Sequence, residues 1–180
     1  MKKIFNVRFF LICGLILLAA ASRLLLLLPN FTPIMAIALF GAAYIQEKRL
    51  ALAIPLTAMF LSDLILGFHN TMLAVYGSIA LGVVLGLLLL KKVTIPRLLI
   101  SALSSSIIFF IVTNFAVWLV GFGGESMYPN TFEGLAQCYT AALPFFRNSI
   151  FGDLVYTGVL FGSFALAEIY IPSLKPSVQS

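Results

Sequence analysis

Apolar residues in this chain fall in blocks of helix length, separated by short polar or turn-forming stretches. A bilayer core about 30 Å thick is crossed by roughly 20 apolar residues in a helix. Blocks of that kind run over about 9–28, 31–45, 50–66, 72–90, 97–120 and 145–170. Pro29-Asn30, Gln46-Glu47-Lys48-Arg49, Gly67-Phe68-His69-Asn70 and Lys91-Lys92 break the pattern, and a longer polar stretch covers 121–143. The second block reaches only about 22 Å at 1.5 Å per residue. Its Pro33 sits near the first turn, where proline is tolerated. The ten-residue alternation of a β-barrel strand does not describe these blocks. The pattern predicts an all-α integral membrane protein of six transmembrane helices, folded as one domain over 1–180.

The stretch at 121–143 carries its own signals. Gly121, Gly123 and Gly124 give a flexible start, and Tyr128-Pro129 a turn. Asn130 with Glu133 three residues on resembles a helix N-cap and its reciprocal partner. A short helix from Thr131 to about Ala142 is expected, ending before Pro144, with Leu135, Cys138, Tyr139 and Ala142 along one side.

Charge fixes the expected orientation. With six crossings and both termini inside, Lys2, Lys3, Arg8, Lys48, Arg49, Lys91, Lys92, Arg97 and Lys175 are cytoplasmic, and only Arg23 and Arg147 fall in the outer half. Positive residues gather on the cytoplasmic side of membrane proteins, and dropping the second crossing scatters them. The net charge of +5 therefore reports topology, and no nucleic-acid partner is expected. Composition agrees, since 62% of the 180 residues are hydrophobic and 9% charged. Soluble domains are about a quarter charged. Two cysteines and one histidine leave little material for a metal or disulfide framework, and no cofactor is expected. Lys2-Lys3, an apolar run and Ala19-Ala20-Ala21 imitate a signal peptide. Arg23 followed by five leucines extends the apolar segment beyond a usual signal.

Ionisable groups within membrane helices are costly and ask for a reason. Arg23, Asp63, Arg147 and Asp153 are such groups. Counted from the helix ends, all four lie in the outer half, and their charges cancel, so they can pair. Thr113 and Asn114 lie near the outer end of helix 5, and His69 and Asn70 form the outer loop between helices 3 and 4. Ser149, Asp153, Tyr156 and Thr157 share one face of helix 6 by their spacing. The inner halves hold little comparable beyond Ser101 to Ser106 and Glu168. This lopsided polarity predicts an outward-facing pocket between helices 1, 3, 5 and 6, covered by the loop. Structural pairing across helices is the competing explanation for any single residue. Ala38-x-x-x-Ala42, Gly82-x-x-x-Gly86 and Gly158-x-x-x-Gly162 are spacings that let helix backbones approach closely.

Several runs resemble one known family. They are Pro29-Asn30-Phe31-Thr32-Pro33, the run from Phe60-Leu61-Ser62-Asp63 to Phe68-His69, Val112-Thr113-Asn114-Phe115-Ala116-Val117-Trp118, Met127-Tyr128-Pro129, and Cys138-Tyr139 through Phe146-Arg147-Asn148 to Gly152-Asp153. Over about residues 22–165 the chain resembles a bacterial family assigned to transport but of unknown function. That family is grouped with the substrate-binding S components of energy-coupling-factor (ECF) vitamin transporters. The resemblance implies a six-helix, N-in/C-in, S-component-like bundle in the cell's inner membrane, with a vitamin site near the outer surface. It also implies a coupling protein and two cytoplasmic ATPases as partners. S components often carry Ala-x-x-x-Ala on helix 1 for the coupling protein; helix 1 here has Ala19-Ala20-Ala21 without that spacing.

The leading expectation is a non-enzymatic, substrate-binding membrane subunit for uptake of a small, vitamin-like nutrient. Arg23 and Arg147 would meet an anionic group, and Asp63 and Asp153 a cationic one or the arginines. Asn30, His69, Asn114, Tyr139 and Asn148 would supply hydrogen bonds. A proton-coupled carrier or channel is the alternative, with Asp63 or Asp153 titrating, although the inner half offers a poor polar path. An intramembrane hydrolase using both aspartates is the remote one. It needs one acid neutral, and nearby arginines favour ionised carboxylates.

Overall fold

The computed structural model describes residues 6–25, 29–121 and 127–174. Among them every regular element is helical: α1 (Val7–Ala21) with a 3-10 turn at Ser22–Leu25, α2 (Ile34–Tyr44), α3 (Lys48–Leu66), α4 (Met72–Leu89), α5 (Ile95–Val120), α6 (Phe132–Tyr170) and a closing 3-10 turn, Pro172–Leu174. The Val7–Leu25 segment, α3, α4, α5 and α6 are each long and apolar enough to cross a membrane. The chain is a multi-pass membrane helical bundle. Lys2, Lys3 and Lys175, the end of the first block at 26–28, and Gly123 and Gly124 lie outside the described residues.

Local signals set most of the boundaries. The Asn6 side chain accepts from Phe9 N–H at 2.9 Å and starts α1, and Glu47 accepts from Leu50 N–H at 2.7 Å and starts α3. Gly67 and Gly121 end α3 and α5 at φ 95° and 74°, a left-handed backbone that suits glycine.

The segment after α5 departs from expectation. Instead of a short helix stopping before Pro144 and a separate span from residue 145, one helix of 39 residues runs through both. Its N-cap is Thr131, whose side chain accepts from Gly134 N–H at 3.1 Å, rather than Asn130. Pro144 lacks an N–H and so withholds a donor from the Thr140 carbonyl. Packing outweighs that loss. Tyr139 Oη donates to the Ile111 carbonyl at 2.7 Å, Cys138 Sγ to that of Asn114 at 3.5 Å, and Phe146 stacks on Phe110 with centroids 4.3 Å apart. At 1.5 Å per residue α6 is about 58 Å long, well beyond the roughly 30 Å hydrocarbon core.

The short second block becomes the centre of the bundle. Residues Ile34 to Ala42 of α2 are all buried, packed by α1, α3, α4, α5 and α6. A helix apolar all round belongs inside. Near its last turn Phe40 and Tyr44 interlock with Phe161 and Phe164 of α6, centroids 4.4–5.6 Å apart. Arg8 lies over the Phe164 ring at 4.9 Å, pairs with Glu168 and donates to the Leu174 carbonyl. The first and last helices are thereby fastened at one end. Lys48, Lys91 and Arg97, at the start of α3, the end of α4 and the start of α5, belong to that same basic end.

Two of the small-residue spacings face each other. A Cβ on Gly82 would lie 3.3 Å from Ala38 Cβ and 2.4 Å from Met35 Cε, and one on Gly86 2.6 Å from Ala42 Cβ. The α2 and α4 backbones therefore meet through bare glycine surface. Overpacking such a contact costs about 1–3 kcal/mol. Gly86→Ala is expected to lower the unfolding temperature in detergent more than Gly82→Ala, because Met35 can turn aside and the Ala42 methyl cannot. Equal shifts would mean that α2 itself moves away.

Candidate functional site

Three of the four intramembrane charges settle into two separate networks. In the first, Arg23 Nη1 pairs with Asp63 Oδ1 at 2.7 Å and also donates to Ser62 Oγ. Tyr76 Oη donates to Asp63 Oδ2 at 2.8 Å. Asp63 is 2% exposed, so both carboxylate oxygens are consumed inside protein. Arg23 Nε is buried without a partner among the described residues. The network ties the end of α1 to α3 and α4.

Asp153 forms the second network, away from the arginines. Its Oδ1 accepts from Met35 N–H at 3.2 Å, and its Oδ2 from Ser106 Oγ at 2.6 Å. Met35 lies in the first turn of α2, whose N-cap, Pro33, offers no side-chain hydrogen bond. Helix N-termini leave N–H groups unpaired and carry partial positive charge. In apolar surroundings such groups need an internal acceptor. Asp153 supplies it from a different helix. The approach is close, because a Cβ on neighbouring Gly152 would stand 2.9 Å from Thr32 N.

The expected four-charge cluster is thus corrected in part. Arg23 and Asp63 do pair. Asp153 instead meets Ser106, near the middle of α5, and Arg147 is exposed, with no ion pair among the described residues. Both residues lie on one continuous helix, and six residues at 3.6 per turn set them about 120° apart around it, so Asp153 faces the bundle while Arg147 faces out. The two aspartates share no hydrogen-bond partner.

The other predicted residues divide likewise. Asn30, in the left-handed region at φ 59°, joins Thr113, Asn114 and Ser149 around a cavity of about 60 Å³ at the end opposite the basic one. Phe109, Phe110, Phe145 and Phe146 form its apolar walls. Asn114 Nδ2 donates to its own helix at Phe110 O, 2.8 Å. Asn148 stands beside the cavity and donates to the Pro29 carbonyl at 3.0 Å, holding the α1–α2 turn. Tyr139 is bound to the α5 backbone. His69 is exposed and pairs locally with Thr71, Nδ1 to Oγ1 at 2.9 Å, so it does not join the cavity.

Tyr76, the pair Arg8 and Glu168, and Ser106 are partners that the sequence pattern does not single out. Tyr76 was legible in principle. It lies one turn after the 67–70 connection, at the height of Asp63 one turn before it. Ser106 carried no such signal, because its pairing depends on the register between α5 and a longer α6. A second, larger cavity of about 430 Å³ opens between α5 and α6 near the basic end, lined by Tyr44, Leu98, Thr157 and Phe161 among others.

These features define a polytopic helical membrane protein with Arg23, Asp63 and Asp153 held inside the bundle, Arg147 on its surface and a small polar cavity at one end. The chain belongs to a family of unknown function (DUF6580), whose model matches residues 3–174. No curated protein matches it, and no solved structure does.

Proposed function

We propose that this chain is the substrate-binding membrane subunit of an uptake system for a small nutrient. In this reading all six helices count as crossings, with the basic end in the cytoplasm and the small polar cavity facing outward from the inner membrane. The observation that carries the proposal is that cavity. Asn30, Thr113, Asn114 and Ser149, from three parts of the chain, converge on it between aromatic walls. Apolar walls with a few convergent polar groups are the usual make-up of a small-molecule site.

Its volume of about 60 Å³ accommodates a few waters, whereas drug-sized ligands occupy roughly 300–1,000 Å³. Capture of a vitamin-sized solute therefore requires the cavity to widen. Pro144 lies between the wall residues Ala142 and Phe145, and proline is a common cause of helix kinks. Outward bending of residues 132–143 opens the site, and exposed Arg147 meets an anionic group at its rim. Release to the cytoplasm is driven by a coupling protein with two ATPases, in the manner of ECF S components.

Native mass spectrometry of protein purified gently from rich-medium cells tests the idea. A co-purifying solute is expected. The Asn114→Leu and Ser149→Ala variants are expected to lose at least about tenfold in its retention, equivalent to ~1.4 kcal/mol, while unfolding temperatures hold. Absence of any solute, with no thermal shift across a vitamin panel, would sink the proposal.

A further inference from the structure

We infer that the larger cavity at the basic end is a binding groove for one anionic phospholipid. It occupies about 430 Å³ between α5 and α6. Its floor includes Gly158 and Gly162, where an added Cβ would meet nothing within 4 Å. The contrast with Gly82 and Gly86 is instructive, because those glycines are covered by α2. The third small-residue stripe has no helix upon it among the described residues, and an apolar chain can lie along it.

Two further observations point to the occupant. Thr157 lines the groove and is only 5% exposed, yet its Oγ1 has no partner among the described residues. Threonine in a helix commonly satisfies itself on a carbonyl of the preceding turn; this one does not, and since the oxygen is covered as it stands, a turn of the side chain is what brings its donor to a ligand in the groove. A glycerol ester carbonyl is an acceptor that a lipid carries into apolar surroundings. The groove's mouth is formed by Val93, Thr94 and Ile95, bracketed in the chain by exposed Lys91, Lys92 and Arg97. Thr94 is the N-cap of α5 but makes no side-chain capping bond; Pro96 carries no N–H, so the first turn offers an anion the N–H groups of Ile95 and Arg97 beside the Arg97 guanidinium. Basic pockets between membrane helices hold anionic headgroups. An apolar trough, an unpaired hydroxyl inside it and a cationic mouth together fit a phosphatidylglycerol-like lipid better than a neutral one.

Native mass spectrometry of the purified full chain, with phosphatidylglycerol and phosphatidylcholine of identical acyl chains, tests this. Wild-type protein is expected to retain phosphatidylglycerol at least fivefold over phosphatidylcholine. The triple variant Lys91→Gln, Lys92→Gln, Arg97→Gln, changed only at exposed positions, is expected to lose that preference without a change in unfolding temperature in lipid-free detergent. Gly162→Leu, which fills the trough, is expected to lose both lipids. Equal retention of the two lipids by wild type overturns the inference, as does a triple variant that keeps its preference. A dimer abolished by Gly162→Leu, with phosphatidylglycerol still bound, overturns it in favour of a second copy in the groove.

Discussion

Truncating Asp63 to alanine is expected to destabilise the bundle by about 3–5 kcal/mol, the usual cost of stripping one partner from a buried ion pair. Asp63 holds Arg23 at 2.7 Å and accepts from Tyr76 at 2.8 Å. Its loss strands a guanidinium whose Nε already lacks a partner among the described residues. Replacing both charges tells cause from consequence. Arg23→Leu with Asp63→Leu removes the unpaired charge, and buried pairs exchanged for apolar residues are often neutral or stabilising. The double variant is therefore expected to recover most of the stability in unfolding measurements in detergent. If Asp63→Ala instead unfolds like wild type and abolishes solute retention, the pair belongs to the binding site and not to the scaffold.

Asp153→Leu is the second large effect, at roughly 2–6 kcal/mol. It leaves Met35 N–H and the Ser106 hydroxyl without their acceptor, and each buried donor left unpaired costs about 1–3 kcal/mol. Asp153→Asn keeps an acceptor oxygen for one of these groups and is expected to lose about half as much, the remainder reflecting the lost charge at the α2 N-terminus. Hydrogen exchange across 34–38 is expected to quicken in Asp153→Leu before the rest of the bundle responds. Uniform loss of protection over all helices would show instead that Asp153 holds α5 to α6 and has no particular tie to α2.

Both predictions assign to the scaffold residues whose chemistry also suits a ligand. Polar groups at one depth can meet a substrate, and they can equally meet one another. Asp63 spends both carboxylate oxygens on protein and Arg23 commits one terminal nitrogen to it, while Asp153 meets Ser106 and a helix end. The small cavity at the end opposite the basic residues is built from uncharged Asn30, Thr113, Asn114 and Ser149. The buried charges of this bundle bind helices together, and neutral polar side chains line the small cavity.

Much of the architecture is legible in the sequence. Blocks at 50–66, 72–90 and 97–120 correspond to α3, α4 and α5 within a few residues, because apolar length and flanking turn or basic residues are local properties. The short block at 31–45 is read from its sequence as a crossing, and only the packing shows its helix at the centre of the bundle. Facing Ala-x-x-x-Ala and Gly-x-x-x-Gly spacings, on α2 and α4, were visible as spacings, though not as partners. The stop at Pro144 misled, since a proline's local cost can be outweighed by Tyr139, Cys138 and Phe146 packing against α5.

Sequence alone determined the class of protein, the helix-forming blocks and which charges would be too costly to leave bare in lipid. Tertiary structure alone decided which partner each charge found, that α6 runs unbroken past Pro144, and which glycine stripe is covered by a helix and which lies open. The reason is physical. Helix formation and membrane partitioning follow from neighbours along the chain, whereas the pairing of Asp153 with Ser106 and the N-terminus of α2 depends on the heights at which three distant helices come to rest.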